Sequence, residues 1–380
     1  MKFMFNIPTC IEFGEGISKK VGEIALGFGA KTVFCVYGKG VAKLAIGVIE
    51  TLKKSGLEVI EFDGVLPNPT DSLIESAAQL AINAKTDVVV AIGGGSSIDA
   101  AKGIAILLTN PSPITLYAGP PNLVKIPGKP LIAIPTTSGT GSEITPFSVI
   151  TVPATSKKVA ISGQFVAPAV ALCDPLLTVG MPPSITASTG MDALTHAIES
   201  YTANNASIPT DDFALRSISL ISQNIVEATN NGVNIEARGN MQLGSLLAGI
   251  AFTNAFVGMV HSLAHPISAH CHVAHGIANA TCLSYVMEYN AVAVPDRTIE
   301  IGIAMGLDLK EMTKEEAIKK VVSAIQNLVD TVKIPKLSAV GVTEDKFNMI
   351  AEDAVMEIPS QFNARTVTKE ACLDVLRRAF

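Results

Sequence analysis

Histidine is concentrated in one short stretch of this chain. Five of the six histidines lie between positions 258 and 276, in GMVHSLAHPISAHCHVAHG, and the sixth is His196. Asp192 precedes His196 by four positions and His261 precedes His265 by the same interval, so each pair shares one face of a helix. A lone histidine is usually a packing residue, but two such pairs and a further histidine suit one divalent cation. Three imidazoles with one carboxylate favour iron(II) or zinc.

A glycine-rich turn is the second chemical signal. The apolar run 88–92 leads into GGGSS at 93–97, after which helical spacing begins. Glycines let the backbone approach a ligand closely, and the free N–H groups of a helix start attract anions, so we predict a pyrophosphate site here. Ser96 or Ser97 is expected to cap the helix. Ile98 stands where the Rossmann fingerprint has its third glycine, and no GK[ST] follows, so this is neither that motif nor a P-loop.

A second polar loop, PTTSGTGSE at 135–143, follows the apolar run 131–134. Its hydroxyl and N–H groups suit phosphate oxygens or a nicotinamide carboxamide. Clusters of serine, threonine and glycine usually mean only a loop. Two such loops at the ends of neighbouring parallel strands favour a nucleotide site, because ligands bind at that edge of a sheet.

The elements around these loops predict an α/β N-terminal dinucleotide-binding domain, residues 1–180, followed by an all-α metal-binding domain, residues 181–380. Short apolar runs alternate with helical segments at first, which indicates a parallel sheet covered on both faces. Long helical periodicity dominates afterwards, with Ser184 as the expected cap of the first helix. The predicted strands are 31–37, 57–62, 87–92 and 131–134, and the clearest predicted helices are 41–54, 71–84, 97–108, 184–202, 211–230, 235–252 and 314–332. The domains are expected to meet near 175–185 and to bind ligands in a cleft.

Composition excludes several classes of function. The net charge of −6 and the lack of a basic run argue against nucleic-acid binding. No apolar run is long enough to span a bilayer, and the first residues lack the pattern of a signal peptide. Six scattered cysteines without a CxxC pair indicate reduced thiols and a cytoplasmic protein. Only 16% of residues are charged, which predicts surface buried between subunits of a homodimer or higher homo-oligomer.

Taken together, these patterns resemble the iron-containing (group III) alcohol dehydrogenase family, whose fold is dehydroquinate-synthase-like. The resemblance covers nearly the whole chain. It rests on GGGS at 93–96 with Asp99 and Lys102, PTTSGTGSE at 135–143, Asp174-Pro175, GMDALTHAIE at 190–199, the His261/His265 pair and His275-Gly276.

The resemblance implies a site. Its metal ligands would be Asp192, His196, His261 and His275, with His265 near the nicotinamide and substrate and His272 as a further catalytic candidate. The expected cofactor-binding residues are Gly38, Asn68, Gly94, Gly95, Ser96, Ser97, Asp99, Thr137, Ser138, Thr140 and Lys158, the last open to exchange with Lys157. Two positions depart from the family pattern without removing a ligand. This chain has His270 where the family usually has an apolar residue, and it has Ala274 where the family frequently has proline.

The implied reaction is hydride transfer between NAD(P)(H) and a small primary alcohol or aldehyde. Fe²⁺ is the expected metal, with Zn²⁺ as the alternative. Family members that prefer NAD often have aspartate after the strand 31–37, where this chain has Gly38 followed by Lys39. Because a nearby ammonium can pair with a phosphate, we predict NADP(H) over NAD(H).

Other functions remain open at this point. A glycerol-dehydrogenase-like zinc polyol dehydrogenase differs mainly in metal and ligand count. A dehydroquinate-synthase-like lyase shares the two-domain plan, but it needs more basic residues for its substrate and normally has a glutamate ligand. A non-catalytic metal- or nucleotide-binding protein is the third class.

Overall fold

The computed structural model describes residues 2–155 and 157–380. The strands are β1 (Cys10–Phe13), β2 (Thr32–Tyr37), β3 (Glu58–Phe62), β4 (Val88–Gly93), β5 (Leu131–Pro135), β6 (Phe147–Val152), β7 (Lys157–Ser162) and β8 (Val170–Cys173). The helices are α1 (Val21–Gly27), α2 (Ala42–Lys54), α3 (Asp71–Asn83), α4 (Gly95–Leu107), α5 (Pro183–Thr202), α6 (Ile208–Asn230), α7 (Ile235–Ala255), α8 (Met259–Cys271), α9 (His275–Ala291), α10 (Pro295–Ala304), α11 (Lys314–Thr331), α12 (Phe347–Met356) and α13 (Lys369–Ala379).

The chain forms two compact units. One comprises residues 7–137 and 141–180, and the other comprises residues 2–6, 138–140 and 181–380. Among the described residues, the strands β1 to β8 lie in the first unit, and helices α5 to α13 lie in the second. The fold is therefore a parallel-sheet N-terminal part followed by a helical C-terminal part, as the sequence predicts.

The sheet unit is built on six parallel strands in the order β1-β8-β5-β4-β2-β3. β2 and β4 are buried along their whole length, because each face of the sheet has its own apolar layer. Phe34 and Val36 of β2 belong to the layer that includes α3 and α4. Val33 and Cys35 face the opposite layer, with α1 and α2. The side-chain period of two thus sorts one strand's residues between two cores.

The glycine turn and the second polar loop lie side by side. Gly93 at the end of β4 pairs with Pro135 at the end of β5, and the Thr136 N–H donates to the Gly93 carbonyl at 3.0 Å. The predicted cap of α4 is wrong by two or three positions: the helix begins at Gly95, and Gly94 rather than Ser96 or Ser97 is its N-cap. The consecutive glycines allow the chain to turn into the helix earlier than a serine cap would.

The helical unit is organised around α5. Asp192, His196 and the apolar residues around them are buried, since helices α6, α7 and α9 pack against α5. The helix begins at Pro183 and is capped by Pro182, so the predicted cap Ser184 is instead its second residue. Proline suits the first helical position, where its missing N–H has no intrahelical partner.

A sharp turn separates α7 from α8. Phe256 has a left-handed backbone with φ of 68°, and the helix directions differ by 102°. Across residues 2–155 and 157–380, no single helix is long and apolar enough to cross a membrane; α7 and α8 meet that test of length and composition only as this bent pair. The turn starts α8 with the segment that carries His261.

Candidate metal centre and nucleotide-binding loops

Three helices supply the predicted metal ligands. Asp192 and His196 lie one turn apart on α5, His261 lies in the first turn of α8, and His275 is the first residue of α9. One oxygen or nitrogen atom from each of these four residues lies within 4.8 Å of the other three. We refer to Asp192, His196, His261 and His275 as the donor cluster. The structure thus brings together all four ligands that the resemblance implies.

The two buried imidazoles of the donor cluster are in the form that binds metals. Burial lowers the pKa of His196, although the Asp192 carboxylate opposes that effect. Burial also holds the pKa of His261 well below its usual value, with His196 and His275 adding to the shift. Neutral imidazole offers a lone pair to a cation, so these rings need not lose a proton at neutral pH before they bind.

Asn279 provides a test of whether a cation fits. Its Nδ2 lies 2.6 Å from Asp192 Oδ1, 3.2 Å from His261 Nε2 and 3.1 Å from His275 Nε2. An amide nitrogen has two hydrogens and cannot serve three acceptors. The buried Oδ1 of Asn279 has no hydrogen-bond partner in the described residues. Asn279 alone therefore cannot serve all three atoms, and a divalent cation would use the lone pairs that converge there.

Glu199 lies at the donor cluster, although the sequence analysis assigned no role to it. Its Oε2 lies 2.5 Å from His261 Nδ1, and its Oε1 accepts the Val260 N–H at 2.6 Å. Burial raises the pKa of Glu199 to about 7, while N–H groups at the start of α8 oppose the shift. Glu199 follows Asp192 by seven positions, and Asn279 follows His275 by four. Both spacings place the residue on the same helical face as a predicted ligand, which was the available signal in the sequence.

The two catalytic candidates are placed differently. The His265 ring lies 6.0 Å from the His261 ring and 5.6 Å from the His275 ring, between centroids. Its Nδ1 is 2.8 Å from Glu357 Oε2, and both side chains are more than one-third exposed. His272 is the exposed residue that ends α8, and in the described part of the chain no hydrogen bond or ring contact links it to the donor cluster.

Aromatic rings complete the surroundings of the donor cluster. The ring of Phe252 stacks on His196 with centroids 4.3 Å apart. Phe256, at the turn before α8, stacks on Phe362 at 4.2 Å. The His196 ring also lies against His261, at 4.7 Å. The His196 ring is thus stacked against both Phe252 and His261, which holds its plane.

In the sheet unit, the glycine turn gathers several predicted cofactor residues. A Cβ on Gly94 would lie 3.1 Å from the Thr137 side chain, so glycine permits this close approach. The Asn68 N–H donates to Ser96 Oγ at 3.3 Å, and Asn68 has a left-handed backbone with φ of 56°. Gly95 and Ser97 lie in the first turn of α4, whose N-terminal N–H groups suit an anion.

Asp99 and Lys102 form a buried network under these loops. Lys102 Nζ donates to Ser142 Oγ at 3.0 Å and to the Phe147 carbonyl at 2.5 Å. Ser142 Oγ donates in turn to Asp99 Oδ1 at 2.7 Å, and Asp99 Oδ2 accepts the Val149 N–H. The Asp99 carboxylate therefore ties α4 to the segment that follows the second polar loop.

The other predicted cofactor residues are more dispersed. Gly38 follows β2, and a Cβ there would lie 2.8 Å from the Val65 carbonyl oxygen. Lys158 is an exposed residue of β7 whose charge interacts with Asp99. Ser138 and Thr140 belong to the short segment that packs with the helical unit.

Comparison with known proteins covers both halves of the chain. Residues 8–175 match the model of iron-containing alcohol dehydrogenases, and residues 186–380 match that of the C-terminal part of the Fe-containing alcohol dehydrogenase family. The 1,3-propanediol dehydrogenase of Klebsiella pneumoniae is 37% identical, over 100% of this chain and 99% of its own length. The NAD-dependent methanol dehydrogenase of Bacillus methanolicus is 33% identical, over 99% of both chains. The solved structure of a 1,3-propanediol oxidoreductase has a TM-score of 0.98 and 36% identity, with 100% of each chain covered.

These similarities extend over the full length of the chain and include both the glycine turn and the donor cluster. The chain belongs to the iron-containing alcohol dehydrogenase family and is a metal-dependent alcohol dehydrogenase.

Proposed function

We propose that the chain interconverts small primary alcohols or diols and their aldehydes, with iron(II) held by the donor cluster and NADP(H) as the hydride carrier. The metal assignment rests on the four donor atoms, one from each residue of the donor cluster, that lie within 4.8 Å of one another. Asn279 Nδ2 supports it, because that nitrogen faces more acceptors than it has hydrogens. The relatives named as 1,3-propanediol and methanol dehydrogenases support the substrate class.

Each part of the site has a separate role in this proposal. A bound divalent cation supplies Lewis acidity toward a substrate oxygen, and the nicotinamide supplies the hydride step. The stacked ring of Phe252 holds the plane of His196. His265 lies between the ligand rings and the partly exposed Glu357, so we assign to it the proton exchange between site and solvent, with His272 as the alternative.

The assignment of the donor cluster as the iron site can be tested by measuring the metal content of variants. His261→Ala removes one donor and should lower both bound iron and alcohol oxidation. His270→Ala is the matched control, because His270 lies on the same helix but binds Asp353 at 2.6 Å. A His261→Ala protein that is free of metal yet fully active would refute the assignment. Zinc in the purified protein would still be compatible with the site, since zinc generally binds such ligands more tightly than iron(II).

Substrate and reaction type can be tested in one steady-state experiment. Short aldehydes and diols, supplied with NADPH or NADH, should be turned over with oxidation of the nicotinamide. A lyase would show no net consumption of nicotinamide, and a binding protein would show no turnover. Activity confined to bulky or phosphorylated substrates would contradict the proposed substrate class.

The preference for NADP(H) is supported by charge at the end of β2. No acidic residue lies between Lys31 and Val48 in the sequence, and Lys39 is exposed. We expect kcat/KM to favour NADPH and Lys39→Glu to reverse or reduce that ratio. Gly38→Asp is a poor probe, because its Cβ would meet the Val65 carbonyl oxygen at 2.8 Å. A natural protein that favours NADH tenfold would disprove the preference.

We further propose a homo-oligomer in the cytoplasm. β1 is an edge strand of the sheet, so one side of its backbone is available to pair with a second chain. Its first and last residues, Cys10 and Phe13, have exposed side chains. All six cysteines are free thiols, which suits a reducing compartment. Sedimentation that shows only monomer mass at micromolar concentration would refute the oligomer.

A further inference from the structure

We propose that Glu199 is a positioning residue of the metal centre: its carboxylate accepts the Nδ1–H of His261 and so selects the tautomer that turns the Nε2 lone pair toward the donor cluster. This inference rests on the proposed metal site. A histidine that binds a metal commonly donates its other ring N–H to a carboxylate, which fixes the ring and its tautomer.

Glu199 shares one face of α5 with two members of the donor cluster. Asp192, His196 and Glu199 are spaced by four and three positions, so one buried helix carries two donors and the carboxylate behind a third. The third donor, His261, comes from α8, and its Nδ1 lies 2.5 Å from Glu199 Oε2. Glu199 on α5 therefore contacts a donor-cluster residue that lies on a different helix, α8.

In the part of the chain that the structure describes, backbone N–H groups and the His261 ring surround the Glu199 carboxylate. Oε1 accepts the Val260 N–H at 2.6 Å, and the backbone N–H groups of Gly258 and His261 also point to this carboxylate. These N–H groups belong to the start of α8, where helical N–H groups have no partners of their own. Surrounded in this way, Glu199 accepts hydrogen bonds and His261 Nδ1 is the donor.

The opposite side of the ring agrees with this tautomer. His261 Nε2 faces the Nδ2 of Asn279 at 3.2 Å, and that amide nitrogen can only donate. A proton on Nε2 would place two donors against each other. Nε2 is thus the lone-pair atom, and it is directed at the place where the atoms of the donor cluster converge.

Glycine at position 258 is part of the same arrangement. A Cβ there would lie 2.6 Å from Asn363 Oδ1 and 3.2 Å from Glu199 Oε1. Asn363 Oδ1 accepts the Met259 N–H at 3.1 Å. Two side chains therefore hold the start of α8, but only Glu199 also contacts the His261 ring.

Glutamine cannot replace the carboxylate. If the glutamine oxygen faced His261 Nδ1, its NH₂ group would oppose the Val260 N–H. If the NH₂ group faced Nδ1 instead, His261 would carry its proton on Nε2, toward the donor cluster. Glu199→Gln preserves the size of the side chain and removes only this function.

The test compares full-length wild-type, Glu199→Gln and Asn363→Ala proteins in Co²⁺ titrations after chelation of bound metal. We expect Glu199→Gln to raise the Kd for Co²⁺ by about 10- to 100-fold and to change the visible spectrum of the Co²⁺ protein. Asn363→Ala should lower the melting temperature, with a Kd within about threefold of wild type, because it weakens the helix start without touching the ring. Equal Kd values for wild type and Glu199→Gln would overturn the inference, and so would equal increases in both variants.

A second measurement needs no foldable variant at position 199. With only six histidines, ¹⁵N-histidine NMR of the metal-free wild type can resolve His261, assigned by its loss in His261→Ala. We expect Nδ1 to be protonated and Nε2 to be bare; a proton on Nε2 would overturn the inference. If wild type binds one Co²⁺ and His261→Ala does not, the metal assignment stands whatever Glu199→Gln does. If wild type itself binds no Co²⁺, the assignment and this inference both fail.

Discussion

Replacing Lys102 with methionine should destabilise the sheet unit strongly, although the two side chains have similar lengths. Only 1% of Lys102 is exposed. Its ammonium donates to Ser142 Oγ, Thr145 Oγ1 and the Phe147 carbonyl, and lies 3.7 Å from Asp99 Oδ1. Methionine fills the space but leaves these acceptors without their donor and Asp99 without its cation.

The structure allows the cost to be estimated. Removing one partner of a buried ion pair costs about 3–5 kcal/mol, because the other charge is left uncompensated. Asp99 keeps two donors, Ser142 Oγ and the Val149 N–H. Burial also lowers the pKa of Lys102 to about 8, so desolvation already offsets part of the benefit of the charge. We therefore take the lower end, about 3 kcal/mol, which for a unit of this size corresponds to a fall of about 6–12 °C in Tm.

Calorimetry of the full chain provides the assay. Lys43→Met is the control, because Lys43 is exposed on α2 and should change stability by no more than about 0.5 kcal/mol. Asp99→Asn added to Lys102→Met should recover part of the loss, since it removes the orphaned charge. If Lys102→Met lowers Tm by less than about 2 °C, the ammonium does not stabilise the sheet unit as expected. The same holds if the double variant loses the full sum of the two single losses.

Two further predictions concern a buried acid, Glu143, and a half-buried glycine, Gly276. Burial raises the pKa of Glu143 from 4.5 to about 7, so between those values the folded chain holds a proton that the unfolded chain releases, and stability falls as pH rises. Glu143→Gln should therefore match wild type near pH 4, below the pKa of the unfolded chain, and exceed it by up to about 3 kcal/mol near pH 8 in urea unfolding. Equal differences at both pH values would contradict this. A Cβ on Gly276 would lie 2.3 Å from the Ser188 carbonyl oxygen, so Gly276→Ala should push the start of α9 away from α5 and weaken Co²⁺ binding as well as stability. Gly302→Ala is the control, because its Cβ would meet the Val321 side chain at 2.3 Å. It should lower the free energy of unfolding by a similar amount, about 1–3 kcal/mol, without changing the Kd for Co²⁺. Equal Kd values for the two variants would count against the role of Gly276.

The sequence predicted those parts of the fold that depend on local patterns. β2 and β4 are apolar throughout because both faces are buried, and a continuous apolar run is visible without a structure. The hairpin of β6 and β7 was not predicted: its strands carry alternating and exposed side chains, and its pairing is a tertiary fact. β8 has four residues, too few for a periodic signal.

The donor cluster was predictable for a similar reason, and its supporting residues were not. Asp192 and His196 are four positions apart, and residues with that spacing share one face in any α-helix. The bond between Glu199 and His261 joins residues 62 positions apart on different helices. Spacing can show that Glu199 lies on the right face, but only the packing of α5 against the start of α8 shows what the carboxylate contacts.

The donor cluster, Glu199 and Asn279 all come from residues 192–279, within the helical unit. The glycine turn and the Asp99–Lys102 network come from the sheet unit. In the proposed function, the metal site therefore belongs to the helical unit, and the nucleotide site belongs mostly to the sheet unit, with Ser138 and Thr140 as exceptions. On that proposal, substitutions around the end of β2 would change the choice of dinucleotide without altering the donor cluster, and substitutions in the donor cluster would change the metal without altering the sheet. The proposed metal site and the proposed end of β2 could then be varied one at a time on the same fold.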